Sequence, residues 1–403
     1  MNDYRALLRA PRFRAFWLAL LAANLGSWCV IATLPILVAQ RYGAGMVLVL
    51  SLGLRIVPKV LLAPLAGGLL RRFGPARVAS SAMVAMAVLT AGLPWCDNLI
   101  LFQAVIGAIG TIDLFINPGL LALRGAVTPA GLSMAGNTMF SVADRAAKVA
   151  GPALGGVLVL AGFAPAFAVF AAMTALAAIP IARFSAPPDA RAADARSGSL
   201  TGFVRIIRAD RQIVGLLIAS VTYMVMLGGL RPFLFWANRD WFGASDTAWT
   251  GLLVAQGAGA LIGAVVSALF VGRFLRGMSA YTLTMLTGIM EGAVHLLLLF
   301  AQNSAQAILI LALAGIPEII STSAWFTAMQ ERLAPAQQAL FFTFAAPMWD
   351  LFFALGIASA GLHARGVLSL SSYWALVSLI ATVPLIPLLG RGAAASRAGW
   401  PRD

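Results

Sequence analysis

Residues 183–212 read RFSAPPDARAADARSGSLTGFVRIIRADRQ and form the one long hydrophilic stretch of a largely apolar chain. Arginine, aspartate, serine and the Pro187-Pro188 step are typical of a linker and not of a packed core. Long apolar runs fill the chain on both sides of this stretch. The pattern therefore predicts two membrane-embedded halves, residues 1–182 and 213–403, joined by a linker at residues 183–212.

Each half contains six apolar runs that are long enough to cross a hydrocarbon core of roughly 30 Å as helices. Their approximate bounds are 16–39, 46–70, 78–95, 99–123, 131–160, 164–182, 213–236, 248–270, 280–300, 307–329, 339–362 and 370–389. Charged residues make up 10% of the 403 residues, against about a quarter in soluble proteins, which excludes a soluble enzyme. We predict an all-α integral membrane protein with 12 transmembrane helices in two pseudo-symmetric six-helix bundles.

The basic residues of the short loops predict the orientation of the chain. Twenty of them fall on the side that carries both termini, and three, Arg41, Arg239 and Arg365, fall on the other side. Because cytoplasmic loops are enriched in lysine and arginine, we expect both termini in the cytoplasm, in a bacterial inner membrane. Topology therefore explains the formal net charge of +14, and no nucleic-acid partner is needed.

The two halves show faint internal repetition, as tandem six-helix units do. An offset of 206 residues, which aligns two proline-containing turns, places Asp144 on Asp350. With the same offset Asp113 falls one residue from Glu318. Glycine and alanine matches are expected by chance in such a sequence, but two pairs of embedded acids that align to within one residue are harder to dismiss.

Two short motifs in the first half carry a family resemblance. The loop after the second span reads GGLLRRFGPAR at residues 67–77 and resembles the signature G-x-x-x-D-R-x-G-x-R of the major facilitator superfamily. The fifth span contains GPALGG at residues 151–156, which resembles the core of that family's antiporter motif. These motifs supply the predicted gating residues, which are Gly67, Arg71, Arg72, Gly74, Arg77, Gly151, Pro152, Gly155 and Gly156.

One residue departs from the family pattern. The family has an acid at the position of Arg71, and by resemblance that acid helps to latch the cytoplasmic gate. The latch is therefore altered or absent in this chain. Alternatively, Arg71 and Arg72 serve only as determinants of topology.

The resemblance covers nearly the whole chain, and residues 117–152 are similar to the efflux branch that contains macrolide exporters and the enterobactin exporter. In the family, helices 1, 4, 7 and 10 line the substrate cavity, and helices 2, 5, 8 and 11 form the gates. The resemblance therefore implies that Asp113 and Glu318 face substrate. It also implies that Asp144 and Asp350 lie where the two halves move against each other.

Ten ionisable residues fall inside the predicted spans, where a charge costs on the order of 3 kcal/mol on insertion scales. The first half holds four basic and two acidic ones, and the second half holds one basic and three acidic ones. This imbalance indicates that one half handles an anionic group and the other a proton. The basic residues, which we predict to bind substrate, are Arg55, Lys59, Arg145, Lys148 and Arg231.

Depth along the spans predicts which of these charges meet. Lys59 and Asp113 lie about 13 and about 14 residues below the outer face, so we expect them to pair. Asp144 and Lys148 are four residues apart on one helix face, a spacing that permits an ion pair.

Four acids are candidates for proton coupling. Glu318 and Asp350 come first, because neither has a basic residue nearby in the sequence and Pro317 loosens the helix just before Glu318. Asp113 and Asp144 are the repeat-related candidates in the first half. A carboxyl group in low-dielectric surroundings binds a proton more readily than one in water.

The fifth embedded acid, Glu291, lies four residues before His295 on the ninth span. That span is peripheral by resemblance. We therefore expect a satisfied pair with a packing role there and no part in function.

Aromatic residues supply the rest of the expected binding surface. Tyr223, Trp325 and Trp349, with the phenylalanines and methionines around them, predict an adaptable apolar wall for a bulky amphipathic ligand. The leading hypothesis is a monomeric secondary transporter in the lipid bilayer that exports an amphipathic small molecule, a drug-like compound or a siderophore, in exchange for protons. We expect no cofactor and no metal, because the sequence has no nucleotide-binding motif and no histidine or cysteine cluster.

Two other classes of function remain open. A lysophospholipid or lipid flippase would use the basic first half to hold a phosphate group. A membrane-embedded enzyme or a non-transporting receptor is the third alternative, but the sequence contains no HExxH, GxSxG or His/Asp constellation.

Overall fold

The computed structural model describes residues 2–184, 200–266 and 278–390, without the side chains of residues 2, 63–68, 71, 134, 335, 336 and 339. Within these ranges the secondary structure is helical and contains no strand. The chain divides into two compact units, Met1–Arg196 and Ser197–Asp403.

The described part of the first unit contains eight α-helices, and their ends follow local chemistry. Pro11, Pro58 and Pro75 lie in the first turns of three of them, where the missing N–H has no helical partner to lose. The helices are α1 (Asn2–Arg9), α2 (Pro11–Tyr42), α3 (Met46–Leu54), α4 (Val57–Phe73), α5 (Pro75–Gly92), α6 (Leu99–Val127), α7 (Ser133–Val159) and α8 (Phe163–Ala182).

The described part of the second unit contains the helices α9 to α16, and residues 385–390 are helical as well. Asp210, Ser279, Asn303 and Ser369 cap four of them, each accepting a hydrogen bond from a backbone N–H in the first turn. The helices are α9 (Leu200–Ala209), α10 (Arg211–Trp236), α11 (Trp249–Val266), α12 (Ala280–Leu296), α13 (Ser304–Arg332), α14 (Pro335–Ser359), α15 (Gly361–Ala364) and α16 (Leu370–Thr382).

The two units pack their helices in the same pattern. In the first unit α2 packs against α7 and α8, α4 against α6, and α5 against α6 and α8. In the second unit α10 packs against α14 and α16, α11 against α13, and α12 against α13 and α16. Spans one to six therefore pair as spans seven to twelve do. This confirms the predicted pair of pseudo-symmetric bundles.

Ten helices in the described ranges are long and apolar enough to cross a membrane. The other two predicted spans, the second and the fifth, are also helical, but each contains charged residues within its apolar run. The second span is split into α3 and α4 at Arg55-Ile56. The fifth, α7, carries Asp144, Arg145 and Lys148 near its centre. In both places charge interrupts the apolar run.

The expected linker contains a folded element. Residues 200–209, within the predicted linker 183–212, form α9. Phe203 and Ile206 are buried in the core of the second unit, and the Phe203 ring lies 5.1 Å from that of Phe344. Phe203 and Ile206 are three residues apart and therefore lie on one face of the helix. The segment was assigned to the linker because it is too short to span a membrane and contains arginines, as loops do. Residues 185–199 lie outside the described ranges.

Candidate functional site

A cavity of about 150 Å³ lies within the second unit, between α10, α12, α13, α14 and the last membrane span, Leu370–Gly390. It brings together Tyr223, Trp325 and Trp349, the three aromatic residues predicted to bind substrate. The residues of its wall are Ala219, Ser220, Tyr223, Met224, Met226, Thr284, Gly288, Glu291, Ser321, Thr322, Trp325, Phe326, Trp349, Ala381 and Leu385.

The two tryptophans of the wall are held in place by hydrogen bonds. Trp325 Nε1 donates to the backbone oxygen of Leu216 at 2.8 Å, and Trp349 Nε1 donates to Ser220 Oγ at 3.0 Å. Their ring centroids are 5.6 Å apart at an interplanar angle of 70°. Both indoles are thus anchored through their polar edges, and their faces form part of an apolar wall.

Four hydroxyl groups in the wall also donate inside the protein. Ser220, Thr284 and Thr322 each donate to a backbone oxygen at 2.8 Å, and Ser321 does so at 3.4 Å. Serine and threonine in membrane helices satisfy their hydroxyl groups in this way because no water is available. Their oxygen atoms keep lone pairs that can accept a further hydrogen bond.

Two carboxyl groups from different helices converge on one phenol. Tyr223 on α10 is hydrogen-bonded to Glu318 on α13, and it interacts electrostatically with Glu291 on α12 and with Arg231. Glu291 and Glu318 are only 3% and 9% exposed. The structure thus connects a predicted proton-coupling acid to the cavity through Tyr223.

The sequence-based interpretation of Glu291 missed its position. We expected this acid to have only a packing role on a peripheral span, but it lies in the cavity wall. His295, one turn further along α12, donates from Nδ1 to the backbone oxygen of Glu291 at 3.0 Å. An acid in the middle of an apolar span is a sign of a functional site, but we gave more weight to the family resemblance.

The first unit contains a separate cluster of embedded charges. Lys59 donates to Asp113, as the matching depths of the two residues predict. Arg55 interacts electrostatically with the same carboxylate, and its Nη2 lies 3.5 Å from Ser27 Oγ. Arg55 is 9% exposed, and its Nη1 is buried without a hydrogen bond to any described residue. One acid therefore faces two cations.

A break in the second span positions these two cations. Helix α3 ends at Leu54 and α4 begins at Val57, so Arg55 lies in the break and Lys59 in the first turn of α4. A Cβ atom added to Gly110 on α6 would lie 2.5 Å from the backbone oxygen of Arg55, which shows how closely α6 passes the break. Interrupted membrane helices commonly hold charged ligands in transporters.

Replacing Asp113 by asparagine is expected to destabilise the first unit by about 3–5 kcal/mol, because it leaves Lys59 charged and buried without its carboxylate. The double variant Lys59→Met with Asp113→Leu removes the ion pair but leaves Arg55 without the carboxylate, so it is expected to recover only part of the lost stability. The measurement is the thermal unfolding midpoint of the purified protein. Asp97→Asn is the matched control, since the Asp97 side chain is 92% exposed. Equal midpoints for Asp113→Asn and the control would contradict the assigned ion pair.

Asp144 has partners on two other helices. Its carboxylate accepts a hydrogen bond from Asn24 Nδ2 at 2.5 Å and lies 3.6 Å from Arg124 Nη2. Arg145 also interacts electrostatically with Asp144. The pairing of Asp144 with Lys148 stays a prediction. The Asp144 side chain is half-exposed.

The other predicted charged residues in the second unit are more scattered. Asp350, the repeat-related counterpart of Asp144, is exposed on α14 and is not part of the cavity wall. The Arg231 guanidinium lies 5.2 Å from the centre of the Phe353 ring. Arg231 is the single predicted substrate-binding base of the second unit, and in the first unit Arg55 and Arg145 interact with different acids.

The predicted gating motif of residues 67–77 forms a sharp turn. Gly74, at φ 84°, ends α4 and precedes α5, and this left-handed conformation favours glycine. Arg72 stacks over Phe73 at 5.2 Å, and Arg77 is exposed. Gly67 and Arg71 are helical, but their side-chain positions lie outside the described part of the chain.

The predicted motif of residues 151–156 provides close helix packing. A Cβ atom on Gly151 would lie 2.4 Å from Trp28 Cβ, and one on Gly155 would lie 3.1 Å from the backbone oxygen of Cys29. Pro152 lies inside the continuous helix α7, and Gly156 is buried. These glycines therefore bring α7 against α2.

No group of three histidine, cysteine or acidic residues in the described ranges is arranged to hold a metal ion. Cys29 and Cys96 are both buried as free thiols. Within the described ranges, the groups that can bind or carry charge are those of the charge clusters around Asp113 and Asp144 and those of the cavity.

The sequence profile described as Major Facilitator Superfamily matches residues 16–357. The fold is similar to that of the human organic anion transporter MFSD10, with 18% identity, coverage of 94% of this chain and 99% of that chain, and a TM-score of 0.67. A bacterial homologue of the human lysosomal transporter Spinster matches with 14% identity, 100% coverage of both chains and a TM-score of 0.68. The nucleoside transporter NupG matches with 13% identity, coverage of 95% and 98%, and a TM-score of 0.65. A comparison with curated proteins yields no sequence match.

Proposed function

We propose a transport mechanism from one established premise: this chain belongs to the Major Facilitator Superfamily. It is therefore a multi-pass membrane transporter and not an enzyme. Within that family, we propose that it exports a bulky amphipathic small molecule, such as a drug-like compound or a siderophore, in exchange for protons. The similarity of residues 117–152 to the efflux branch supports the direction of transport.

The observation that carries this proposal is the cavity of the second unit. Its wall combines aromatic and methionine side chains with hydroxyl groups and one carboxyl group. An apolar wall with a few polar groups suits part of an amphipathic molecule, which buries its apolar surface there and is oriented by the polar contacts.

The exchange for protons is proposed to use embedded acids. Glu318 and Asp350 are the first candidates, and Asp113 and Asp144 are their repeat-related counterparts. Glu318 lies in a membrane span and is only 9% exposed, which supports its role as an acid enclosed within the protein. Its hydrogen bond to Tyr223 gives a route by which its proton state can influence the cavity.

The distribution of arginines among the loops supports the proposed membrane and orientation. Twenty loop arginines against three support a bacterial inner membrane with both termini in the cytoplasm. We propose a monomer, since each unit has its own buried core.

A sealed-vesicle assay tests the proposed exchange. The purified protein is placed in proteoliposomes with an acidic interior, and uptake of rhodamine 6G, an amphipathic dye, is followed by fluorescence. The membrane potential is clamped at zero with valinomycin and equal potassium. We expect the dye to accumulate only while the pH gradient persists, because proton efflux drives dye entry. Accumulation that survives a protonophore would contradict proton coupling, and protein-free liposomes give the baseline.

A lysophospholipid flippase is the second candidate, and Arg55 favours it. The guanidinium is enclosed at a helix break. Arg55 and Lys59 carry two positive charges there, against the one negative charge of Asp113. Such a site suits a phosphate group, since guanidinium pairs well with oxyanions. Transport of a fluorescent lysolipid without a pH gradient, together with inhibition of dye uptake by unlabelled lysolipid, would favour the flippase over the drug exporter.

A further inference from the structure

We propose that the cavity of the second unit is a subsite for a protonated amine and that Glu291 recognises its charge. The inference deepens the proposed transport function and rests on it for the view that the ligand is a transported molecule. Binding at the cavity can be measured without transport, so the two proposals can fail separately.

The hydrogen-bond donors of the cavity wall are already committed within the protein. Four hydroxyl groups donate to backbone oxygens, the two indoles donate to Leu216 and Ser220, and the Tyr223 phenol is bonded to Glu318. The wall also contains acceptors, which are the hydroxyl oxygens, the carboxyl group of Glu291 and the aromatic faces. A ligand that brings its own donors is therefore complementary to the wall, and an oxyanion is not.

The charges around the cavity favour a cation. Glu291 lies in the wall and is 3% exposed. Glu318 lies behind Tyr223, and Arg231 interacts with the same phenol. His295 is on the helix of Glu291, and the last membrane span contributes only the apolar Ala381 and Leu385 to the wall. A carboxyl group in the wall attracts a bound cation, and the low dielectric of the enclosed cavity strengthens its attraction to Glu291.

The aromatic side chains are arranged to receive such a cation. The rings of Trp325 and Phe326 are 5.1 Å apart and nearly perpendicular, at 89°. Trp349 and Tyr223 add further rings to the same wall. The face of an aromatic ring attracts a positive charge, and tryptophan does so most strongly. A carboxyl group among aromatic faces is the chemistry that recognises an organic ammonium ion.

The size of the cavity limits what it holds. A volume of about 150 Å³ is comparable to engineered protein cavities that bind benzene. It accommodates an ammonium group with one ring or a short alkyl arm, and not a whole drug-sized molecule. We therefore assign the cavity to the amine-bearing arm of a larger amphipathic substrate, which competes with a proton for Glu291.

Three probes of nearly equal shape separate charge from size: benzylamine, which is cationic at neutral pH, neutral benzyl alcohol and anionic benzoate. Binding to the full-length purified protein is followed by tryptophan fluorescence and by the thermal shift. We expect benzylamine to bind at least about tenfold more tightly than benzyl alcohol, and benzoate not to bind. Affinity for benzylamine is expected to fall at acid pH, where the proton occupies the carboxyl group.

Two variants test the residues. Glu291→Gln is expected to remove the preference for benzylamine over benzyl alcohol while the alcohol still binds. Ala381→Leu is expected to fill the cavity and weaken both ligands, and it keeps the test decisive if Glu291→Gln does not fold. Glu331→Gln, an exposed acid on α13, is the matched control and should bind all three probes as the wild type does.

The outcomes separate the subsite from the transport proposal. Equal affinity for amine and alcohol, benzoate binding, or an unchanged Glu291→Gln would overturn the amine subsite even if dye transport is observed. Selective amine binding that depends on Glu291, in a protein that moves no dye, would support the subsite and refute the proposed export.

Discussion

Replacing Glu318 by glutamine is expected to lower transport driven by a pH gradient at least about tenfold, which corresponds to about 1.4 kcal/mol of lost driving interaction. Glutamine has nearly the shape of glutamate, and its amide oxygen can still accept from Tyr223. It cannot take up or release a proton. Substrate exchange without a gradient is therefore expected to continue, and the folded protein to be recovered in normal yield. The comparison of gradient-driven uptake with gradient-free exchange in proteoliposomes measures the difference.

The same assay tests Asp350, the other first candidate for proton coupling. Asp350→Asn tests the exposed acid on α14, and Glu331→Gln controls for the loss of a charge elsewhere on α13. A variant that folds and exchanges substrate but has lost the response to pH identifies a proton carrier. Normal pH-driven transport by both Glu318→Gln and Asp350→Asn would show that the coupling assignment is wrong.

The architecture was predictable from the sequence because each membrane helix can be recognised from its own segment of sequence. Length, hydropathy and the distribution of arginines are properties of single segments, and they predict the spans without knowledge of how the helices pack. The break at Arg55-Ile56 was missed because it depends on the close passage of Gly110 on a different helix. Helix α9 was missed for a similar reason, since Phe203 and Ile206 find their apolar partners in the second unit.

The site was predictable only in part. Lys59 and Asp113 could be paired because residues on neighbouring membrane helices can be compared by depth alone. Tyr223, Trp325 and Trp349 were recognised as binding candidates by chemical type, but their meeting at one cavity depends on helix rotation. Glu291 was assigned to packing because a family resemblance, and not this sequence, implied that the ninth span is peripheral.

Adding a methyl group at Gly259 or Gly315 is expected to prevent stable folding of the second unit. A Cβ atom on Gly259 would lie 2.3 Å from the backbone oxygen of Ala312, and one on Gly315 would lie 2.2 Å from the carbonyl carbon of Gly259. Backbone atoms cannot rotate away as a side chain can, so α11 and α13 would have to separate. We expect a loss of about 3 kcal/mol or more for each alanine variant. The measurements are the yield of monodisperse protein and its thermal unfolding midpoint.

Gly251→Ala provides the matched control on α11, because a Cβ atom there meets no other atom within 4 Å. In the interior of a helix, alanine is more favourable than glycine by up to about 1 kcal/mol. The control is therefore expected to leave stability unchanged or to raise it, whereas the two contact variants lower it. This opposite sign separates helix propensity from helix packing. If Gly315→Ala and Gly251→Ala had the same thermal unfolding midpoint, α11 and α13 would not be in contact at this point. The packing inside the second unit would then need revision.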